Sequence, residues 1–566
     1  MKSPYYINVN GCYGQGPYAR PDYTTLQEFL DSMDRLGIGQ AVVYHSLARD
    51  LHPVYGNRYL LEDIRKTPGA SQRVIPALAV NPSMLAGIGE METVLDILEK
   101  QESGVIALFP VTNRYRLLEI RPVLDMVRTY RPVFLIDVTE MTSEDLEDLA
   151  SIAVDYPDLF FVVRQVMWWQ FSRIFNLLGR TKNICADISW LHTRDSIRIL
   201  RDQAGPHRLV FGTGYRAHGG AALAALSWAE IPQDEKDQIA ADNLIAMLPE
   251  GPVRSRAAAG LRTLENKIRN RFWNSFLNEK PLKDVLVIDA HTHIGPFTRS
   301  WFLRDNTLEG QIAALDHDRA RFGIDRFVSQ PETALFGQAV EGNRMVEDAF
   351  RQYAKELAKD TSADPALCHA ELMRHFCGNL FYNAIYSDLY TEEVLDAFFS
   401  GGYFCGFKIL PEYLEVDVAD PRFIPCFEYA DRHHMHILIH TWEGKFGTAL
   451  QCAEVAKQYP NATFVFGHTG GGTQGRYQCE QIAQDPQYAN CVFEFCGSFT
   501  TPVRWEDSLK KIDFRRVVYG TDTIVHDIAW EMGRLLSLAI PEEQIEAILG
   551  ANMQRVLSQS GGRFSD

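Results

Sequence analysis

The amino-acid sequence predicts two α/β domains in tandem, each a (β/α)8 barrel. With 566 residues, the chain exceeds the roughly 250 to 300 residues at which single hydrophobic cores stop growing. Short apolar runs alternate with segments of helical periodicity, which predicts parallel sheets buried on both faces. The same succession of segments occurs twice, and each half has the length typical of a complete barrel.

The composition is that of an ordinary globular protein, with 46% hydrophobic and 23% charged residues. No apolar run is long enough to span a membrane, and the N-terminus does not resemble a secretory signal, so a cytoplasmic location is expected. The net charge of -17 argues against binding to nucleic acid, since phosphate groups need a basic surface. The ten cysteines form no CxxC pair, which favours reduced thiols over a disulfide scaffold.

The repeat is visible segment by segment, and its members keep the same order in both halves. The matching segments are INVNGCYG at 7–14 and IDAHTHIG at 288–295, SGVIALFP at 103–110 and CGFKILP at 405–411, RPVFLIDVTE at 131–140 and MHILIHTWE at 435–443, FFVVRQVMWW at 160–169 and TFVFGHTGGG at 463–472, and HRLVFGTG at 207–214 and RRVVYGTD at 515–522. Each is an apolar, strand-like run closed by polar or glycine residues.

These matches set the expected domain limits. We predict a first barrel over 1–250, a helical linker over 251–284 and a second barrel over 285–566. The linker opens with Pro and Gly and then shows apolar residues at helical spacing: Leu261, Leu264, Ile268 and Phe272. A segment at 350–377 has no counterpart in the first half, and we expect it to pack over a barrel end or at an interface.

Five side chains of the second half point to one site. His291 and His293 alternate along a predicted strand, so both imidazoles face the same side at its C-terminal end. His440, His468 and Asp522 each follow another predicted strand, and such positions converge at the C-terminal mouth of a barrel. Imidazoles and a carboxylate together are suitable ligands for a divalent cation, and zinc, manganese and iron all accept such a set.

The first half lacks this set. We pair its Asn8 and Asn10 with the two histidines of HxH, and its Asp137, Gln165 and Gly214 with the His440, His468 and Asp522 positions. Amides and glycine cannot replace such ligands, so the first barrel is expected to bind no catalytic ion of this kind. Its expected role is structural, as a pseudo-subunit that imitates a dimer of barrels within one chain, and the chain itself is a possible homo-oligomer.

The second half resembles the amidohydrolase superfamily, in particular its amidohydrolase-related branch, preceded here by a degenerate duplicate. The segments that carry the resemblance are DAHTH at 289–293, FKILP at 407–411, IHTWEG at 439–444, GHTGG at 467–471 and YGTDT at 519–523. The resemblance implies that His291, His293, His440 and Asp522 bind one divalent ion, usually zinc, and that His468 assists catalysis. The duplicated barrel departs from the usual single-barrel members.

A mechanism follows from this ligand set. A bound cation lowers the pKa of water from 15.7 towards about 7. Asp522 would take the proton from that water, and His468 would polarise a carbonyl or stabilise the oxyanion. The leading hypothesis is therefore hydrolysis of a small organic ester, lactone or amide. The first alternative is non-oxidative decarboxylation of an aromatic or unsaturated carboxylic acid at the same metal site, and an alternative of another class is a non-catalytic scaffold or binding protein.

Further side chains are candidates for contact with a small, carboxylate-bearing substrate, because loops at this face set specificity. They are Lys408, Trp442, Glu443, Arg476 and Arg304, with Lys445, Glu494 and Trp301 beside them. Lys408 has two interpretations. It faces the substrate or an ion-pair partner, or, as a carboxylated lysine, it bridges two metal ions as in some members of the superfamily.

Overall fold

The chain forms two compact units, Met1–Arg269 and Asn270–Asp566. The computed structural model describes residues 5–17, 22–87, 90–214, 219–260, 264–296, 306–361, 364–497 and 501–559.

The first unit contains an eight-stranded parallel sheet in which every strand pairs with the next one in the chain. Its strands are β1 (Ile7–Tyr13), β2 (Gln40–His45), β3 (Val74–Ala79), β4 (Val105–Leu108), β5 (Val133–Asp137), β6 (Phe160–Arg164), β7 (Ile184–Asp187) and β8 (Leu209–Val210). The backbone N–H of Val9 donates to the carbonyl oxygen of Phe211 at 2.9 Å, which joins β1 to the end of β8. The sheet is thereby brought round into a barrel.

The second unit repeats this arrangement with another eight-stranded parallel sheet. Its strands are β9 (Ile288–Ile294), β10 (Arg326–Pro331), β11 (Phe376–Phe381), β12 (Phe404–Ile409), β13 (His436–His440), β14 (Thr463–Gly467), β15 (Cys491–Glu494) and β16 (Val517–Val518). The N–H of Ala290 donates to the carbonyl of Tyr519 at 2.9 Å, the same closure as in the first unit. The prediction of two tandem (β/α)8 barrels is confirmed.

Helices cover the outside of each sheet. In the first unit they are α1 (Leu26–Leu36), α2 (Ser46–Asp50), α3 (Pro53–Lys66), α4 (Ala70–Arg73), α5 (Glu90–Glu99), α6 (Arg121–Val127), α7 (Ser143–Asp155), α8 (Phe171–Arg180), α9 (Ser196–Ala204), α10 (Ala221–Trp228), α11 (Gln233–Asp237), α12 (Asn243–Met247) and α13 (Pro252–Ala258). In the second they are α14 (Arg271–Leu277), α15 (Leu308–Phe322), α16 (Glu332–Leu335), α17 (Ala339–Thr361), α18 (Pro365–His375), α19 (Glu392–Ser400), α20 (Pro411–Leu414), α21 (Ile424–Arg432), α22 (Ala449–Ala456), α23 (Thr473–Gln484), α24 (Pro502–Ser508), α25 (Ile528–Leu536), α26 (Glu542–Glu546) and α27 (Asn552–Gln559). Both units carry a π-helical turn near their last helices, at Gln238–Asp242 and Ala547–Ala551.

Local sequence signals define these helices. At α1, the Thr25 side chain accepts from the backbone N–H of Glu28, whose carboxylate accepts in return, so the two form a capping box. The helix ends at Gly37, whose φ of 77° is the left-handed conformation that glycine adopts at little cost. Phe29 and Met33 lie on its buried face. Among the described residues, no helix is long and apolar enough to cross a membrane.

The segment at 251–284 differs from the prediction of one helical linker. It contains two short helices, α13 and α14, and the residues at 264–270 between them are not helical. The Asn270 side chain accepts from the N–H of Trp273 at 2.7 Å and so starts α14 as a new helix. The limit between the two units falls at this point, between Arg269 and Asn270.

The segment at 350–377 lies in the helical layer of the second barrel. It forms the C-terminal part of α17, then α18 and the first residues of β11. Both helices pack against β10 and β11, so the insertion lengthens one β–α connection instead of covering a barrel end.

A buried histidine of β13 should make the stability of the second barrel depend on pH. His436 is buried, its Nε2 lies 2.7 Å from Oδ1 of Asn379, and burial lowers its pKa to about 4. Between the unfolded value of 6.5 and this folded value, the unfolded chain binds more protons, so stability falls as the pH falls. We expect this histidine alone to remove about 3 kcal/mol between about pH 7 and about pH 4.

The measurement is urea unfolding of the wild type and of His436→Gln across that pH range. The glutamine keeps a donor for Asn379 but does not titrate. The difference in unfolding free energy between the two proteins should be constant above the unfolded pKa and should shrink in acid. A difference that stays constant throughout would show that the imidazole does not resist protonation.

Candidate functional site

Three side chains meet at the C-terminal end of the second barrel. His291 and His293 lie two residues apart on β9, and Asp522 follows β16, so neighbouring strands of the closed sheet bring them together. The Nε2 atoms of the two histidines are 3.2 Å apart. Oδ1 of Asp522 lies 2.9 Å from Nε2 of His293 and 3.6 Å from Nε2 of His291.

This triangle has the dimensions of a metal-binding face. Ligands about 2.0 to 2.2 Å from an ion in tetrahedral geometry lie about 3.3 to 3.6 Å from each other. Two of the three separations, 3.2 and 3.6 Å, are close to this range, and the third, 2.9 Å, is shorter. The two ring nitrogens face each other, and the carboxylate oxygen lies beside both. A single cation between them can contact all three atoms. His291, His293 and Asp522 therefore fit a divalent ion.

A carboxylate stands behind His293. Oε1 of Glu332, the first residue after β10, lies 2.6 Å from Nδ1 of His293 and leaves Nε2 directed at the triangle. Burial lowers the pKa of His293, but the carboxylates of Glu332 and Asp522 outweigh it and raise the pKa to about 9. For Asp522, burial raises the pKa, and the surrounding histidines, His291 first, outweigh it and hold the pKa well below its usual range.

A second carboxylate, Glu494, contacts the ring of His291 and the backbone of His468. Its Oε2 lies 3.2 Å from Nδ1 of His291 and accepts from the backbone N–H of His468 at 3.0 Å. Burial raises the pKa of Glu494. The Cys496 thiol donates to the same oxygen at 3.2 Å, and burial raises its pKa well above the usual range. Glu494 therefore fixes the His291 ring so that Nε2 faces the triangle.

His440 and His468 form a linked pair beside the triangle. Nδ1 of His468 lies 3.3 Å from the carbonyl oxygen of Cys496, and its Nε2 lies 3.2 Å from Nδ1 of His440. If each Nδ1 carries the proton, the pair forms a chain of hydrogen bonds that leaves a lone pair on Nε2 of His440. Burial lowers the pKa of His468 to about 4 and that of His440 well below its usual range, so both rings are neutral at pH 7.

Lys408 enters the same site from β12. Its Nζ lies 2.9 Å from Nε2 of His291, and the side chain is buried. Burial lowers its pKa to about 8 against the opposing effect of Asp522. The lysine thus faces the ligand triangle and lies within reach of anything bound there.

The described residues place the other predicted substrate contacts differently. Trp442 lies at the site, stacked on His440 with 5.9 Å between ring centroids. The Glu443 carboxylate instead accepts from the N–H groups of Gln474 and Gly475 at the start of α23. Arg476 is buried and bound to Glu480 and Ser508. Because Glu443 and Arg476 are bound to other parts of the protein, we do not propose them as substrate contacts.

Three further candidates also have a defined outcome. Arg304 and Trp301 lie outside the described residues. Glu494, expected at the substrate, instead contacts the ring of His291 and accepts from the backbone N–H of His468.

Matching hydrogen bonds in the two barrels show which residues of β1 and β9 correspond to each other. Oδ1 of Asp289 accepts from the N–H groups of His291 and Thr521 at 3.2 and 3.0 Å. In the first barrel, Oδ1 of Asn8 accepts in the same way from Asn10 and Thr213, at 2.9 and 3.0 Å. The pairing of Asn8 and Asn10 with the two HxH histidines is therefore wrong by two residues. The counterparts of Asp289, His291 and His293 are Asn8, Asn10 and Cys12.

An arginine fills the corresponding place in the first barrel. Arg164, at the position of Gly467, is fully buried, and its Nε lies 2.7 Å from Oδ1 of Asp137. Asp137 also accepts from Gln165 at 2.8 Å. Asp137 stands at the register position of His440, so the guanidinium lies at the strand ends where the second barrel carries His440 and His468.

Sequence reasoning missed several members of the site. Glu332 directly follows β10, the same strand-end signal that identified the histidines, so it could have been found. Cys496 lies two residues after Glu494, and His526 lies four residues after Asp522. Both positions are beyond the strands, where the sequence shows no periodicity that would indicate the direction of a side chain. Tyr413, whose ring is 5.0 Å from that of His440, lies in the short helix α20 after β12.

A comparison with protein families concerns the second barrel. The sequence model of the family described as Amidohydrolase matches residues 288–558. No curated protein matches the chain. Solved structures similar to this chain include a 5-carboxyvanillate decarboxylase from Sphingomonas paucimobilis, at 12% identity over 48% of this chain and 99% of that one, with a TM-score of 0.33.

Two further structures are similar. A 2,6-dihydroxybenzoate decarboxylase from Rhizobium shows 13% identity over 49% of this chain and 99% of its own, with a TM-score of 0.36. A 4-oxalomesaconate hydratase from Rhodopseudomonas palustris shows 14% identity over 45% of this chain and 97% of its own, with a TM-score of 0.34.

Proposed function

Since the second barrel belongs to the amidohydrolase family, we propose that this barrel is a metal-dependent hydrolase of a small organic ester, lactone or amide. One observation carries the proposal. Nε2 of His291, Nε2 of His293 and Oδ1 of Asp522 form a triangle of the size that one divalent ion requires.

In this proposal His440 completes the ligand set through Nε2. The hydrogen bonds through His468 to the carbonyl of Cys496 fix the ring of His440 and direct that nitrogen away from His468. We favour zinc as the ion, because neutral imidazoles and one carboxylate are its usual ligands, and manganese or iron would accept the same set.

The ion, when bound, would polarise an oxygen of substrate or water and lower the barrier to attack on a carbonyl. The chain's own residues supply the proton handling. Asp522 presents Oδ1 to the ligand nitrogens, and its carboxylate would receive a proton from the attacking water. His468 contributes to catalysis by holding the ring of His440 in place. Lys408 would bind a carboxylate or carbonyl oxygen of the substrate from the β12 side.

A second candidate function is decarboxylation of an aromatic acid, and an aromatic wall favours it. Tyr413 packs edge-on against His440 at 5.0 Å, and Phe336 packs against Tyr413 at 6.1 Å. Trp442 lies nearly parallel to the His440 ring, at 11°. Tyr413 and Phe336 are 46% and 48% exposed, so both offer ring surface to a bound molecule. Such a wall suits a planar ring whose carboxylate reaches Lys408.

A product assay separates the two functions. The purified chain, loaded with Zn²⁺ or Mn²⁺, is given a panel of lactones and amides and a panel of hydroxybenzoates, with Asp522→Asn as the control. We expect acid release from a lactone or amide without release of carbon dioxide, and at least about 100-fold less with the control. Carbon dioxide from a hydroxybenzoate would establish the second candidate. No turnover of either panel by the loaded chain would contradict both.

A further inference from the structure

A buried chain of polar side chains leads away from Asp522 and takes no part in the proposed ligand set. Nε2 of His526 lies 3.9 Å from Oδ2 of Asp522, and its Nδ1 lies 3.3 Å from Oε1 of Glu531. Oε2 of Glu531 lies 3.0 Å from Nη2 of Arg534. All three residues are at most 2% exposed.

The two carboxylate oxygens of Asp522 face different neighbours. Oδ1 faces the histidine nitrogens of the triangle, and Oδ2 faces His526. The His526 ring lies between two carboxylates, with one nitrogen towards each, so its orientation is set from both sides. Glu531 is itself held, because it accepts from the backbone N–H of Gly497 at 3.2 Å and pairs with Arg534.

The fold does not require the Glu531–Arg534 pair. In the first barrel the positions that correspond to Glu531 and Arg534 on the equivalent helix, α10, are Leu223 and Leu226. Both leucines are buried, so the same place in the architecture accepts an apolar pair. Replacing a buried ion pair by apolar residues is often neutral or stabilising. A costly polar pair present only in the barrel that has Asp522 indicates a role at the site.

We propose that His526 is a positioning residue that holds the Asp522 carboxylate in its ligand orientation, and that Glu531 and Arg534 anchor His526. The inference rests on the proposed function, because it assumes that Asp522 binds the ion. Outer contacts of this kind change metal affinity by about 10 to 100-fold when they are lost. The role is one of orientation, since His526 faces Oδ2 of Asp522 and not the oxygen that belongs to the ligand triangle.

The test uses Co²⁺ binding to the full chain, followed by the visible absorption band of the ion. His526→Asn keeps a nitrogen near Glu531 but loses the one that faces Asp522, whereas His526→Gln restores a nitrogen on the Asp522 side. We expect His526→Asn to bind Co²⁺ at least about tenfold more weakly with an altered band, and His526→Gln to recover most of the affinity. His436→Asn, which removes a buried imidazole of β13, should bind Co²⁺ as the wild type does.

Two further proteins make each outcome decisive. The double variant Glu531→Leu, Arg534→Leu reproduces the first barrel and should also weaken Co²⁺ binding and alter the band, so it carries the test if His526→Asn fails to fold. Wild-type affinity and band in His526→Asn, or in the double variant, would overturn the positioning role. Asp522→Asn separates this from the larger proposal. If it too binds Co²⁺ like the wild type, the proposed metal site is wrong.

Discussion

Replacing His291 and His293 together with alanine should abolish metal binding by the chain. Both Nε2 atoms belong to the ligand triangle, and their removal leaves Asp522 with at most one imidazole partner, His440. We expect about one divalent ion per wild-type chain and none in the double variant, measured by plasma mass spectrometry after purification without added metal. The loss should exceed the ~10 to 100-fold that removal of an outer contact causes.

A matched control comes from the same barrel. His433 and His434 are adjacent and exposed, so replacing both with alanine removes two imidazoles without touching the site. This control should keep the full metal content. About two ions per wild-type chain would instead favour Lys408 as a carboxylated bridge, since its Nζ lies 2.9 Å from Nε2 of His291. A wild-type chain that takes up no metal even after reconstitution would contradict the proposed function.

The sequence was sufficient to predict the architecture and the centre of the site, for a physical reason. In a parallel barrel every strand ends at the same face, so a polar residue directly after an apolar run is placed at the mouth whatever the helices between do. His291, His293 and Asp522 could be predicted in this way. Glu332 obeys the same rule.

The register of the first barrel could not be fixed by alternation. A shift of two residues along a strand keeps every side chain on the same face. Pairing Asn8 with His291 therefore preserves the pattern, but the hydrogen bonds from Asn10 and Thr213 to Asn8 identify it as the counterpart of Asp289, in agreement with the matched segments at 7–14 and 288–295. Periodicity determines a face of the sheet but does not determine register between distant copies.

Side chains beyond the strand ends were harder to predict. Glu443 and Arg476 follow strand ends by several residues, where turns decide the side-chain direction, and both serve helix α23 and its neighbours. Glu531 and Arg534 lie in the otherwise apolar stretch IAWEMGRLL of α25, which alone predicts only a buried helix. Their connection to Asp522 depends on contacts through His526 that no local pattern encodes.

Replacing Arg164 with leucine should destabilise the first barrel strongly. The guanidinium is fully buried and its Nε lies 2.7 Å from Asp137, whose side chain is 2% exposed. Removing one partner of a buried ion pair leaves an uncompensated charge, at a cost of about 3 to 5 kcal/mol. Hydrogen exchange of the full chain measures this barrel separately, and amides of β5 and β6 should lose protection by a corresponding factor while those of β13 and β14 do not change.

The double variant Arg164→Leu, Asp137→Leu provides the decisive comparison. It removes both charges and leaves apolar side chains in the barrel mouth, so it should recover much of the protection lost in the single variant. Arg173→Leu, at an exposed position of α8, controls for the loss of an arginine and should leave exchange unchanged. If Arg164→Leu exchanges like the wild type, the ion pair contributes nothing to the first barrel. Recovery in the double variant would instead show that Arg164 is present to neutralise Asp137.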